Sequence, residues 1–244
     1  MRTIRIHVDS PLSIGTEVSL LGQAAEHVAR VLRLAPGDAV TLFNGDGRNY
    51  PSLVLAAKKR EVSVQIESEQ PANNESPLAL TLAQGIARGE KMDWIVQKAT
   101  ELGVVRIVPL LTERAEVRLD AERAQKRLAR WRSVAISACE QSGRACVPQI
   151  EPALALEAWL EQLDGECGLR LSLLPQAQKS IRALHFATPR GVLVTGPEGG
   201  LGEQDIRALR TANFSDVSLG PRILRTETAG LAALAALQAV HGDG

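Results

Sequence analysis

The chain has 244 residues, 45% hydrophobic and 23% charged, with 28 basic and 28 acidic side chains. That length suits two domains and a full core, so no disulfide framework is needed. The zero net charge argues against a protein coated with nucleic acid. Cys139, Cys146 and Cys167 lack the spacing of a zinc site or a bridge set, so no metal is expected.

The first twelve residues, MRTIRIHVDSPL, contain no apolar core of a signal peptide. The most apolar stretch, 228–240, is too short for a bilayer and contains Gln238. A cytoplasmic protein is the expectation. Charge is uneven: residues 1–72 carry eight bases and eight acids, 73–150 twelve and nine, and 151–244 eight and eleven. A basic surface in the middle segment fits that distribution.

The first segment alternates like strands at 3–8, 39–43, 51–56 and 61–66, with a helix over 24–34. Asn44-Gly45-Asp46-Gly47 is turn chemistry. A small β domain over 1–72 follows, ending at the proline-bounded polar run 70–77. Beyond it the pattern becomes strand, helix, strand. Strands are predicted at 78–84, 104–111, 169–174, 191–195 and 216–219, and helices at 91–102, 120–142 and 226–240. Continuous apolar strands alternating with helices imply an α/β domain over 73–244 with a parallel sheet covered on both faces.

Ligands of open α/β sheets bind beyond the carboxyl ends of the strands. Three strand ends carry loops rich in Gly and Pro. They are Leu173-Leu174-Pro175-Gln176-Ala177, the run Thr195-Gly196-Pro197-Glu198-Gly199-Gly200-Leu201, and the run from Leu219 to Thr228, LGPRILRTET. Glycine permits close backbone approach to a ligand, and proline stiffens the turn. Neither GPEGGL nor GIARGEK (85–91) has the spacing of a phosphate loop or a dinucleotide fingerprint.

Together GPEGGL and LGPRILRTETA resemble the cofactor loops of SPOUT-class methyltransferases. RGEKMDWIVQKATELGV (88–104), ERAEVR (113–118) and ACEQSGR (138–144) narrow the resemblance to the family that makes N3-methyluridine in small-subunit 16S ribosomal RNA. HVARVLRLAPGDAVTLFNGDG (27–47) is similar to that family's PUA-like domain. The resemblance implies a knotted SPOUT α/β domain preceded by a small PUA-like β-barrel domain. It also implies S-adenosyl-L-methionine (SAM) as cofactor, a homodimer, a 16S rRNA substrate within the small subunit, and uridine 1498 as the target. It places SAM against Leu173, Leu174, Pro175, Thr195, Gly196, Pro197, Gly199, Gly200, Leu219, Gly220, Pro221, Ile223, Leu224 and Thr228. The first loop of the family often reads Pro-Arg-Ala, whereas this chain has Gln176.

Uracil N3 is protonated at neutral pH and must lose its proton before or during methyl transfer. Either a base removes it, or cationic donors stabilise the charge left on the ring. Arg225 is the candidate for the second role, with a cap or an ion pair to Glu227 as its structural alternative. Glu198 either faces the substrate or caps the following helix. His185 has no motif around it and reads as a packing or surface residue.

RNA contacts are expected at Arg88 and Arg144, from the family-like motifs. Glu140 and Gln141 belong to the same set, and an interface between subunits is the alternative for all four. Further contacts are expected at Arg123, Lys126 and Arg127, which recur at helical spacing in a run with six bases and two acids over 118–132. Aromatics are only 3%, which excludes a base-stacking platform. Two rivals remain open: another SPOUT reaction, at a ribose 2′-hydroxyl or guanine N1, and a non-catalytic ribosome-assembly factor on the same fold.

Overall fold

The computed structural model describes residues 4–58, 60–117, 120–163, 168–181, 184 and 188–244. Arg118, Cys167 and His185 lie outside the described residues. The chain divides into two compact units, 1–75 with 139–147, and 76–138 with 148–244.

The first unit is a curled mixed sheet of six strands. These are β1 (Arg5–His7), β2 (Glu17–Leu21), β3 (Ala39–Phe43), β4 (Arg48–Lys58), β5 (Glu61–Ile66) and β6 (Gln70–Pro71). The order is β1-β3-β4-β5-β2, with β6 on β4. In β5 the inward side chains Val62, Val64 and Ile66 alternate with outward polar ones, which is what a half-buried antiparallel strand requires. They meet Ile6, Leu20, Val40 and Leu42 in one core. The helix expected over 24–34 is shorter and changes type. It runs as α1 (Gly22–Glu26) and then a π turn (His27–Val31), in which the Leu32 N–H donates to the His27 carbonyl at 2.9 Å. Arg33, with φ 53°, ends it in the left-handed region.

The segment 139–147, from the ACEQSGR motif, packs into this first unit. Cys139 and Ala145 lie against Phe43. The Arg144 guanidinium grips the Glu75 carboxylate, Nη2 to Oε2 at 2.7 Å and Nε at 3.0 Å. Arg5 Nη2 donates to the Arg144 carbonyl at 2.9 Å, and Glu140 Oε1 accepts the His7 N–H at 3.1 Å. Arg144 is only 3% exposed. A buried charge needs such a partner, and the pair fastens this segment, leaving the guanidinium little exposed surface for the RNA contact expected of it.

Cys139 is also fully buried, and burial pushes its thiol up to about 12 from an ordinary 9.0. The thiolate is therefore scarce, and Cys139 is expected to resist alkylation in the native protein at pH 8. The folded state holds this proton more tightly than the unfolded state, so stability falls as pH climbs from 9.0 toward about 12. Peptide mapping after brief alkylation checks the first point; rapid native labelling at Cys139 would contradict the burial.

The second unit holds β7 (Ala79–Gly85), β8 (Arg106–Leu111), β9 (Gln149–Ile150), β10 (Leu154–Ala155), β11 (Leu169–Leu173), β12 (Arg190–Thr195) and β13 (Ser215–Val217). The order is β10-β8-β7-β12-β11-β13, with β9 on β8, and every pairing is parallel. Its helices are α2 (Lys91–Glu101), α3 (Ala121–Ser142), α4 (Leu156–Glu161), α5 (Glu203–Thr211) and α6 (Thr226–His241); the last residues of α3 belong to the first unit. Pleating splits the strand side chains between two faces. Ala83, Val192 and Val194 pack under Trp159 of α4 and Leu209 of α5. Leu82 and Thr195 lie on the other face against Gly230 of α6.

The last connection decides the site. β13 lies at the outer edge, beside β11. The chain then returns past β11 and β12, and α6 packs on β12, β7 and α2. That return is where the resemblance to SPOUT-class loops leads one to expect the knotted crossing. It is locked at its centre: Thr226 Oγ1 donates to the Gly196 carbonyl at 2.7 Å, and buried Gln84 Nε2 reaches Thr226 Oγ1 at 3.1 Å and the Gly85 carbonyl at 2.8 Å. Among the described residues no helix is long and apolar enough to cross a membrane.

Candidate active site

β11, β12 and β13 run parallel, so the three loops after them emerge at one end of the sheet. There they enclose a cavity of about 550 Å³. Twelve of the fourteen residues expected at the cofactor line it, together with Glu198 and Arg225. Pro221 and Thr228 do not: Pro221 is exposed on the third loop, and Thr228 is exposed in the first turn of α6. Buried Leu174 and Leu201 supply apolar wall, and backbone of 196–200 supplies polar edges.

The glycines of the second loop act differently from the expectation. A Cβ on Gly196 would lie 2.6 Å from the Gly200 carbonyl carbon and 2.7 Å from the Leu201 nitrogen. Gly196 is therefore needed for the loop to fold onto itself, whatever fills the cavity.

Lys91, at the start of α2, also lines the cavity and went unrecognised in the sequence. Its Nζ lies 3.1 Å from Glu198 Oε1 and 3.4 Å from Glu227 Oε2. The hydrogen bond to Glu198 is the main cause that raises the Lys91 pKa. Burial pushes Glu198 up, but N–H donors of its own residue and of Arg88, then Lys91, outweigh it. The carboxyl is held below its ordinary value. A carboxylate so held is a poor proton acceptor. The signal for Lys91 was its place in RGEK, one turn from a strand end.

Arg225 is the N-cap residue of α6, without a side-chain capping bond. Its side chain is 83% exposed at the cavity rim, with Glu227 Oε1 at 4.0 Å. The guanidinium is thus free to turn toward a substrate.

Arg88 pairs with Glu116 and lies outside the cavity lining. On α3, Arg123 pairs with Asp120 at 3.3 Å and Lys126 with Glu122 at 2.6 Å, while Arg127 is half-buried. Exposed pairs like these are weak and exchange readily for phosphate. Among the described residues no cluster of His, Cys, Asp and Glu has metal-binding geometry.

Residues 74–238 match the family described as RNA methyltransferase domain, and residues 20–67 match the RNA methyltransferase PUA domain. The chain is 32% identical to ribosomal RNA small subunit methyltransferase E of Bacillus subtilis, over 90% of this chain and 88% of the relative. The chain belongs to the methyltransferase E family. Two solved structures share its fold throughout. One is methyltransferase E from Neisseria gonorrhoeae bound to S-adenosyl methionine, 38% identical, with TM-score 0.92 and 99% of each chain covered. The other is a putative methyltransferase from Legionella pneumophila in complex with SAM, 40% identical, with TM-score 0.95 and both chains covered in full. Membership in the methyltransferase E family joins the parallel sheet with its return crossing to the SPOUT class, and the β unit to PUA domains.

Proposed function

We propose that this chain is a SAM-dependent methyltransferase that forms N3-methyluridine in 16S rRNA, at uridine 1498. One observation carries the reading: the three loops of the family's cofactor motif close around a single cavity at the carboxyl edge of the sheet. Its size is right for a nucleoside-bearing ligand, and its lining joins apolar wall to backbone donors and acceptors. The residues present fit SAM. Leu173, Leu174, Pro175, Thr195, Gly196, Pro197, Gly199, Gly200, Leu219, Gly220, Ile223 and Leu224 would hold it. When bound, SAM supplies a methyl group on a sulfonium centre.

This chain's own residues do the rest. Leu174, Leu201 and Leu224 exclude water from one side. Arg225 holds the negative charge that develops on uracil as N3 gives up its proton. Glu198 is a structural carboxylate tied to Lys91 and the Arg88 N–H. RNA contacts away from the cavity fall to Arg88, Arg123, Lys126 and Arg127. The PUA-like RNA-binding domain, expected over 1–72, takes in 1–75 and the segment 139–147, the remainder of the expected 73–244 is the catalytic domain, and a cytoplasmic homodimer acting on the small ribosomal subunit completes the reading.

Nucleoside mass spectrometry of 16S rRNA tests it. N3-methyluridine is expected to vanish in a strain lacking the gene and to return when the gene is restored. Unchanged N3-methyluridine, with loss of a 2′-O-methylated or N1-methylated nucleoside instead, would overturn the assignment.

A further inference from the structure

The ERAE stretch, Glu113 to Glu116, follows β8, and the function above leaves it unused. It lies against the second cavity loop and the first turn of α5 through three separate contacts. The Glu113 N–H is shared by both oxygens of Asp205, at 3.1 and 3.2 Å. Glu113 Oε2 accepts the Gln204 N–H at 2.9 Å, in the first turn of α5. Arg114 Nη1 donates to the Gly199 carbonyl at 3.2 Å, and Arg114 itself lines the cavity. Asp205 closes the exchange by accepting the Gly202 N–H at 2.8 Å.

The glycines of GPEGGLG make room for this arrangement. A Cβ on Gly202 would occupy the place of the Glu113 carboxylate, and a Cβ on Gly199 would lie 3.1 Å from Arg114 Cβ. Asp205 is 1% exposed. A buried carboxylate that accepts backbone N–H groups from two chain segments fixes their spacing, because each lost bond strands a buried group.

We propose that Glu113, Arg114 and Asp205 form a clamp that sets the position of the loop 196–202, and that Glu113 is thereby a positioning residue for cofactor binding. The inference rests on the SAM reading of the cavity. Glu113 touches the start of α5, and the loop ahead of α5 forms one wall. The clamp therefore acts on affinity and leaves the methyl-transfer step alone.

The test uses the full chain, with SAM as the probe. Glu113→Ala is expected to weaken SAM binding and raise its KM about tenfold, the size of one lost charged hydrogen bond, with kcat at saturating SAM within about twofold. Glu113→Gln keeps an acceptor oxygen for the Gln204 N–H and is expected to retain most of the affinity. Gly202→Ala is expected to weaken binding strongly in the wild-type background and to cost clearly less in the Glu113→Ala background, where the colliding carboxylate is gone and only the Cβ of residue 113, at 2.8 Å, still crowds it. Glu203→Gln, on the exposed face of α5, is the unchanged control. Without SAM, the Gln204 amide is expected to exchange faster in Glu113→Ala, while amides of β7 keep their protection. Unchanged SAM affinity in Glu113→Ala, equal damage from Gly202→Ala in both backgrounds, or an unmoved Gln204 amide would each overturn the clamp. If the wild type binds no SAM, the reading of the cavity fails, and amide exchange alone decides the clamp.

Discussion

Arg225→Ala is expected to lower the single-turnover rate about a hundredfold at saturating SAM and RNA and neutral pH, the usual cost of one preorganised charge-stabilising donor. Two features of the site support this. The side chain is 83% exposed at the cavity rim, with its nearest ion-pair partner, Glu227, at 4.0 Å. Its backbone is the N-cap of α6, anchored next to the locked Thr226. The base is thus fixed while the guanidinium is available. The competing acceptor, Glu198, is held ionised by its donors and draws a proton weakly. Raising the pH should rescue Arg225→Ala in part, because uracil then ionises unaided. Arg225→Lys keeps the charge without the planar fork and should fall between the two. A normal single-turnover rate for Arg225→Ala would remove the residue from the mechanism. A slow variant without pH rescue would leave it a positioning role.

Gly196→Ala is expected to weaken SAM affinity by about tenfold to a hundredfold, the scale of an overpacking strain of about 1–3 kcal/mol. The new methyl would meet the backbone at Gly200 and Leu201, at 2.6 and 2.7 Å, and no flexible side chain there can yield. The loop must open, and with it goes the carbonyl that accepts from Thr226. Gly220→Ala gives the contrast. Its φ of +111° costs strain of about 1–3 kcal/mol, but its nearest neighbour is Arg222 Nη2 at 3.9 Å, so the loop keeps its course. Calorimetric titration of the two variants, with circular dichroism to show that both are folded, separates self-collision from strain. Equal affinities would sink the distinction.

The sequence made some of this legible and hid the rest for physical reasons. Strands such as β5 and β12 stood out, because Val62, Val64 and Ile66 alternate and Val192, Leu193 and Val194 run unbroken. The cavity loops stood out because Gly and Pro gather at strand ends. A helix after the second loop was expected without bounds: the glycine-rich start hid where α5 begins, at N-cap Gly202, whose N–H the Asp205 carboxylate accepts. Arg144 was read as an RNA or subunit contact because its partner, Glu75, lies 69 residues away in sequence. Lys91 and Glu113 were invisible for the same reason, since Glu198, Glu227 and Gln204 reach them only through the fold.

The return of the chain from β13 to α6 also bears on truncation. Every strand of the parallel sheet precedes Thr226, so the chain up to β13 holds the whole sheet while the Gly196 carbonyl still lacks the Thr226 hydroxyl. The first turn of α6, with Thr226, Glu227 and Ala229, is the last wall of the pocket. A chain cut short before Thr226 therefore carries every strand of the scaffold without the last wall of the pocket, and loss of the final helix alone is enough to silence the site.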